Sequence, residues 1–425
     1  MDFSMAEKRT LPNGVRILML PDDRFSSAAV TIWIGGGSRL ETPETLGYSH
    51  FVEHMLFKGT PTCSAGDIAS IMDNIGGHLN AYTAKEHTTL YSRALRCHLP
   101  IAVNLMCDML TSPKLDEKDI ALEKGVILAE MAMCEDTPED LLSDTSHLTV
   151  WGSHALGANI LGTEETVTAV TADRLRAFLR ENYVGSRVVC AVCGNFDTEE
   201  VFALLEQRLS VLPADGSPLD PTPAQYQRNF IVVEKDFEQT HIELLFPAIP
   251  AYTDRHYHLG FLNAVCGCSL SSRLFQRLRE QLGLVYNVGS DCMLYMREGV
   301  FSVAAAVNPE NADAALREIT LVLAELHKNG ITQQEFERVR EQFRAGILMG
   351  LEGNSSCAAH MAGGELLLGK VRTVDELTRR MDEVTLEQVN AAARDFIDFD
   401  SFSLCAVGKV RESDHYISIV QNTII

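Results

Sequence analysis

Two histidines and a glutamate stand within five residues, in His50-Phe51-Val52-Glu53-His54. On an α-helix, residues i and i+4 share a face, so His50 and His54 can grip one metal ion. Glu53, three residues after His50 and directly before His54, can point into the same site. Two neutral imidazoles need at least one further protein ligand and an open position if the metal is to catalyse. A carboxylate beside that position is placed to take the proton of an activated water. The alternative is a helix carrying two surface histidines and a glutamate. A third ligand separates the two readings.

The element that presents these residues reads as a helix. Glu44-Thr45 precedes Leu46, no proline interrupts Gly47 to Phe57, and Phe51, Val52, Met55 and Leu56 form an apolar face. Gly59 near the C-cap and Pro61 beyond it close the helix. The best source of a third ligand is Leu122 to Met131. Glu123 and Glu130 lie two helical turns apart and face the same way, with Val126 and Ile127 on that side between them. A metal site explains both acids, one as ligand and the other as orienter of a histidine. The alternative is an amphipathic helix with solvated glutamates, since Glu135, Asp136, Glu139 and Asp140 follow closely.

The stretch Gly47-Tyr48-Ser49-His50-Phe51-Val52-Glu53-His54-Met55-Leu56-Phe57-Lys58-Gly59-Thr60 resembles the pitrilysin-type zinc metallopeptidases, the family of insulin-degrading enzyme and mitochondrial processing peptidase. H-x-x-E-H is the inverted zincin signature. The resemblance implies one Zn²⁺ per chain, held by His50, His54 and a glutamate about 75 residues further on, a spacing that Glu130 meets. It implies Glu53 as general base and Glu123 as the supporting acid one heptad before the ligand. Gly76-Gly77-His78-Leu79-Asn80-Ala81-Tyr82-Thr83 resembles the family's G-G-x-x-N-A-x-T stretch. That likeness puts Asn80 and Ala81 on an edge strand that pairs with the substrate backbone; an ordinary glycine turn into a strand is the plainer alternative. Leu274 to Tyr286 resembles the family's Arg/Tyr segment and implies Arg279 and Tyr286 as substrate contacts, with Arg277 a competing assignment.

The likeness runs over nearly the whole chain. It implies a zinc endopeptidase in which Tyr286 and Arg279 stabilise the oxyanion or hold peptide carbonyls. Family sites are often enclosed between two bowl-like halves of two repeats each. This chain supplies two repeats, so a homodimer is expected, or a heterodimer with a related subunit, acting on unfolded peptides. The other reading is a non-catalytic binding or assembly subunit on the same fold. Such members have typically lost motif residues, whereas His50, Glu53, His54 and Glu130 are all present here.

The chain of 425 residues is long enough for two domains. A weak repeat at half its length supports this. Val188 to Gly194 and Phe402 to Gly408 each follow a helical stretch, Thr171 to Asn182 and Thr385 to Phe396. Both halves also open with strands, Val15 to Leu20 and Ala28 to Ile34, then Asn229 to Glu234 and His241 to Phe246. The expected fold is α+β: two homologous α/β-roll-like domains, each a mostly antiparallel sheet packed with helices. The expected domains are 1–212, with the metal motif, and 228–425, without it, joined by a proline-rich linker at 213–227.

The formal charge of −22 excludes a nucleic-acid or anionic-membrane partner and can steer basic peptides. No apolar run is long enough to span a bilayer, and Met1 to Thr10 has no signal-peptide core. Eleven cysteines without disulfide-framework spacing suggest reduced thiols and a cytoplasmic location. Cys190-Ala191-Val192-Cys193 lies in an apolar run that reads as a buried strand rather than a redox or metal pair, and Cys266-Gly267-Cys268 is discounted likewise. Gly35-Gly36-Gly37-Ser38 lacks the lysine of a phosphate loop and reads as a bend before the metal helix.

Overall fold

The computed structural model describes residues 3–214, 219 and 221–424. Residues 215–218 and 220 of the expected linker lie outside the described residues, as do Met1, Asp2 and Ile425 at the outer ends of the expected domains. Strands β1 (Glu7–Thr10), β2 (Arg16–Pro21) and β3 (Ser27–Gly35) lead to helices α1 (Tyr48–Leu56) and α2 (Ala65–Asn74). A hairpin follows, β4 (His78–Thr83) and β5 (His87–Leu95), then α3 (Leu99–Thr111), α4 (Glu117–Asp136) and α5 (Pro138–Trp151). Next come α6 (Glu164–Thr168), α7 (Ala172–Asn182), β6 (Val188–Gly194) and α8 (Thr198–Leu209).

The second series repeats the first. It runs β7 (Phe230–Glu234), β8 (Thr240–Ala248), α9 (Arg255–Cys266), a π-helical segment Phe275–Gln281, β9 (Val285–Leu294) and β10 (Gly299–Val307). Helices α10 (Ala312–Asn329), α11 (Gln333–Gly350), α12 (Asn354–Leu368), α13 (Val374–Asp382) and α14 (Leu386–Phe396) precede β11 (Ser403–Gly408) and α15 (Ser413–Ile424). Thr171 and Thr385, the residues from which the two repeated helical stretches were read, cap α7 and α14 through their side chains.

The sheets have matching orders, β1-β2-β6-β3-β5-β4 and β7-β11-β8-β10-β9. In each, one pair is parallel (β2 with β6, β7 with β11) and the rest are antiparallel. The fold is α+β, as the alternation of strands and helices predicts. Every residue of β6 and β11 is buried, which is why both read as continuous apolar runs. Cys190 and Cys193 are buried within β6, and neither forms a disulfide.

The helices do not all stay with the sheet nearest in sequence. One compact unit gathers the described residues of Met1–Met131, Asn159–Pro221 and Gly346–Leu377; the other gathers Ala132–Ala158, Thr222–Ala345 and Thr378–Ile425. In the first, α12 lays Cys357, Ala358, Met361 and Ala362 against Trp33 of β3 and Val189, Ala191 and Cys193 of β6. Gly363 brings the helix close: a Cβ there would lie 3.2 Å from the Trp33 ring. In the second, α5 lays Leu142, Val150 and Trp151 against Leu245, Cys405 and Val407. Small side chains on one surface and large ones on the other allow both approaches.

Each buried central strand ends at a glycine with positive φ. Gly194 has φ 118° and Gly408 has φ 107°, and a Cβ on either would lie 2.5 Å from a carbonyl oxygen, of Ser27 or Gln239. Gly194→Ala and Gly408→Ala should each lower the unfolding free energy by about 2 kcal/mol or more. Urea denaturation checks this, and losses within about 0.5 kcal/mol would show that the two strand ends relax freely.

Candidate metal centre

Helix α1 starts from an unusual cap. Its N-cap, Gly47, sits at φ 87°, and a Cβ there would lie 2.5 Å from the Leu161 carbonyl oxygen. The exposed first-turn amides are met by a distant carboxylate rather than by Glu44 or Thr45. Glu41 accepts from the N–H of Gly47 at 2.8 Å and of Ser49 at 2.7 Å. A buried acid at a helix N-terminus is favoured by the orphan N–H groups and the helix dipole. Burial, partly opposed by those bonds, lifts the Glu41 pKa to about 7.

The helix presents His50 and His54 on one face, their ring centroids 4.5 Å apart. Across from them, α4 presents Glu130, with its Oε2 3.7 Å from His50 Nε2 and 3.6 Å from His54 Nε2. Among the described residues this is the one group of three His, Cys, Asp or Glu side chains whose ligand atoms lie within 4.8 Å of one another. The separations are too long for hydrogen bonds. They suit a shared ion, since a tetrahedral zinc with bonds of about 2.1 Å spaces its ligand atoms by about 3.4 Å. Burial, and secondarily the His54 charge, pushes His50 down to about 3, so its imidazole is neutral and able to ligate at ordinary pH.

The other nitrogen of His54 is held. Nδ1 lies 2.9 Å from Glu123 Oε2, and the opposite oxygen of Glu123 takes Lys58 Nζ at 2.5 Å. An acid accepting from Nδ1–H leaves Nε2 as the lone-pair nitrogen facing Glu130. Glu123 is 3% exposed and Ile127 is buried beside it, but Val126 is half exposed. The expectation that Val126 shares the glutamates' face is corrected. At 100° per residue it lies about 60° off Glu123 toward solvent, whereas Ile127 and Glu130 stay within about 40°. His50 Nδ1 is buried with no partner among the described residues.

Glu53 is half-buried on the same helix, which raises its pKa, while a hydrogen bond from Thr83 Oγ1 at 2.7 Å opposes the shift. Thr83 ends β4, the free edge of the first sheet. That strand carries Asn80, exposed, whose Oδ1 accepts from the Ala81 N–H at 2.9 Å, and Ala81, buried. Sequence reasoning gave no role to Thr83, Lys58 or Glu41. Lys58, four residues after His54, and Thr83, the last residue of the G-G-x-x-N-A-x-T stretch, had local signals; Glu41 had none.

The second unit holds the remaining candidates. The Arg279 guanidinium stacks 5.0 Å from the Tyr286 ring centroid and 4.9 Å from Phe275. Tyr286, at the start of edge strand β9, is 76% exposed. Arg277 instead bonds Glu318 at 2.8 Å. The candidates thus form two groups: His50, Glu53, His54, Asn80, Ala81, Glu123 and Glu130 in one unit, Arg279 and Tyr286 in the other.

A helix-borne pair of histidines, a converging glutamate and a half-buried neighbouring carboxylate match the pattern of the H-x-x-E-H metallopeptidases. The chain belongs to peptidase family M16. The description "Insulinase (Peptidase family M16)" matches residues 16–164 and "Peptidase M16 inactive domain" matches residues 169–343. A Bacillus subtilis protein named "Uncharacterized zinc protease YmxG" is 37% identical over 93% of this chain and 97% of its own length. A similarly named Mycobacterium tuberculosis protein is 37% identical over 92% of this chain and 91% of its own. Two crystal structures share the fold. One, of a protease from Helicobacter pylori, has a TM-score of 0.88 at 22% identity and covers 95% of this chain and 99% of that one. The other, of a peptidase M16 inactive domain from Pseudomonas fluorescens, has a TM-score of 0.86 at 20% identity, covering 96% and 98%. Family and relatives support a peptidase role, and the His-His-Glu cluster is compatible with zinc. Among the described residues no helix is long and apolar enough to cross a membrane.

Two outcomes follow from this geometry. Glu123→Gln should weaken zinc binding by about 10- to 100-fold by unfixing His54, read by competition with a chromogenic chelator; unchanged affinity would reduce Glu123 to a packing role. Glu41 holds its proton in the folded chain up to about pH 7, well above the unfolded value of 4.5. Its contribution is therefore complete below 4.5 and lost as pH rises to about 7. Relative to Glu41→Gln, wild-type unfolding free energy should fall by on the order of 3 kcal/mol across that window. Parallel denaturation curves for the two proteins at all pH values would contradict this.

Proposed function

We propose that this protein is a zinc-dependent endopeptidase that hydrolyses unfolded peptides, with one Zn²⁺ per chain at His50, His54 and Glu130. The observation that carries the reading is the approach of Glu130 to both Nε2 atoms beside the half-buried carboxylate of Glu53. Zinc bound there supplies a Lewis acid and lowers the pKa of water toward about 7. Glu53 accepts the proton of the attacking water and returns it to the leaving amine. Its burial raises its basicity for that step, and the Thr83 hydroxyl fixes its rotamer. Because Thr83 ends the edge strand, the same contact sets the base relative to any peptide paired along Asn80 and Ala81. Glu123 keeps His54 in the ligating tautomer.

Arg279 and Tyr286 hold peptide carbonyls or the developing oxyanion. In a homodimer, or a heterodimer with a related subunit, they serve the partner's centre across an enclosed chamber. A cytoplasmic location fits the eleven cysteines, none of which forms a disulfide among the described residues.

The test pairs wild type with Glu53→Gln, measuring zinc content and cleavage of a quenched fluorescent peptide mixture. Zinc should be present in both, with kcat reduced by about 10²- to 10⁴-fold in the variant. A variant that keeps most of its activity would overturn the base assignment. Zinc in neither, with no cleavage after zinc is added back, would favour the binding or assembly subunit.

A further inference from the structure

On the face of the second sheet that α5 covers lies a cavity of about 340 Å³. Its lining includes two β8 residues that are almost fully buried, His241 at 4% and Glu243 at 7% exposure. Glu243 takes a hydrogen bond from Ser146 of α5 and has Ser302 of β10 beside it. His241 also lines the cavity, with no hydrogen bond to its ring nitrogens among the described residues, and the Glu139 carboxylate of α5, in the same lining, attracts it electrostatically. Asn287 and Asp291 of β9 are exposed at its rim. Leu142, Met293 and Ala304 supply apolar wall.

The fold itself does not demand this polar lining, because the repeat provides a control. Glu243 pairs with Ala304 and Cys405, and Thr31 of the first sheet pairs with the corresponding Tyr91 and Ala191. By the same register His241 corresponds to Ala29. The equivalent cavity, under α12, measures about 210 Å³ and is lined by Trp33, Tyr82 and Tyr91 with no acid. A buried carboxylate and a buried imidazole without a hydrogen bond are costly where alanine and threonine suffice, and neither serves the metal centre.

The acceptors that line the cavity identify the ligand's chemistry. The Glu243 carboxyl, whose ionisation burial opposes until a cation sits beside it, the imidazole kept neutral by burial and the rim groups Asn287 and Asp291 match the three donors of an ammonium or the five of a guanidinium. A divalent cation fits poorly, since among the described residues the one metal-type triad is the His50 cluster. The apolar wall suits a methylene stem, and the net charge of −22 attracts cations. We infer that this cavity binds a long basic group, a lysine or arginine side chain or a free alkyl amine, with its head against Glu243 and His241. The inference is independent of the peptidase reading.

Isothermal titration calorimetry on the full chain tests it, with Nα-acetyl-lysine amide, Nα-acetyl-arginine amide and the neutral citrulline amide as probes. The two basic probes should bind at least about tenfold tighter than citrulline, and Glu243→Gln should weaken lysine amide by about tenfold. Asp291→Asn, at the exposed rim, gives a second and milder loss should Glu243→Gln fold poorly. A ten-residue peptide with one internal lysine that binds tighter than the capped amino acid assigns the site to peptide side chains; equal binding assigns it to free amines. Removal of zinc should leave these affinities unchanged, which separates this outcome from the fate of the peptidase reading. Equal binding of arginine and citrulline amides, no heat from any probe at millimolar concentration, or full binding by natively folded Glu243→Gln would overturn it.

Discussion

A carboxylate at 3% exposure is stable only when paired, and Glu123 is paired twice. Both partners, His54 and Lys58, belong to α1 or the residues just after it, so one side chain ties α4 to the metal helix across 69 residues of chain. The same bond sets the tautomer of His54. Once α4 is held this way, Glu130, two turns on, has no choice but to face the paired Nε2 atoms. At the other end of α1, Glu41 occupies the first-turn amides, and Gly47 packs its backbone against Leu161. The helix is therefore clamped at both ends by buried acids. That rigidity is what a ligand pair needs if the ion is not to reorganise it.

The duplicated sheet shows how one framework can carry a candidate metal cluster in one copy and not in the other. α9 follows β8 as α1 follows β3, yet α9 places His256 and His258 two apart, on different faces of the helix. The exchange of α5 and α12 has a physical consequence. The outer face of the first sheet, with Trp33 and β6, is covered by residues 354–368, and that of the second by residues 138–151. Neither half of the sequence covers the outer face of its own sheet, so a chain cut at 213–227 would leave each half with an uncovered apolar sheet face.

The candidate metal cluster was legible because holding an ion from one helix would impose a helical period on residue types, and that period survives in one dimension. His50, Glu53 and His54 announce themselves locally, and Glu123 with Glu130 nearly so. The strands were legible because β6 and β11 are buried on both faces and read as apolar runs ending in glycine. The supports were not. Glu41 lies six residues before the N-cap, where no capping rule looks, because the left-handed Gly47 turns the chain back on itself. Thr83 reaches Glu53 across 30 residues, and although it closes the G-G-x-x-N-A-x-T stretch, nothing local names Glu53 as its partner. The choice between Arg277 and Arg279 rests on neighbours from other elements, Glu318 and Tyr286.

The buried polar pair on β8 marks the deeper limit of one-dimensional reading. The order Thr240-His241-Ile242-Glu243-Leu244 alternates as a strand with one face in the core and one in water. A strand's period reports which residues share a face, but not what lies over that face. Here the covering helix comes from 97 residues earlier, and it converts a face that reads as solvated into a cavity wall. Glu243 and His241 are polar residues whose significance depends on that exchange. Were α5 to stay with the first sheet, they would be ordinary surface groups; beneath it, they are acceptors held away from water.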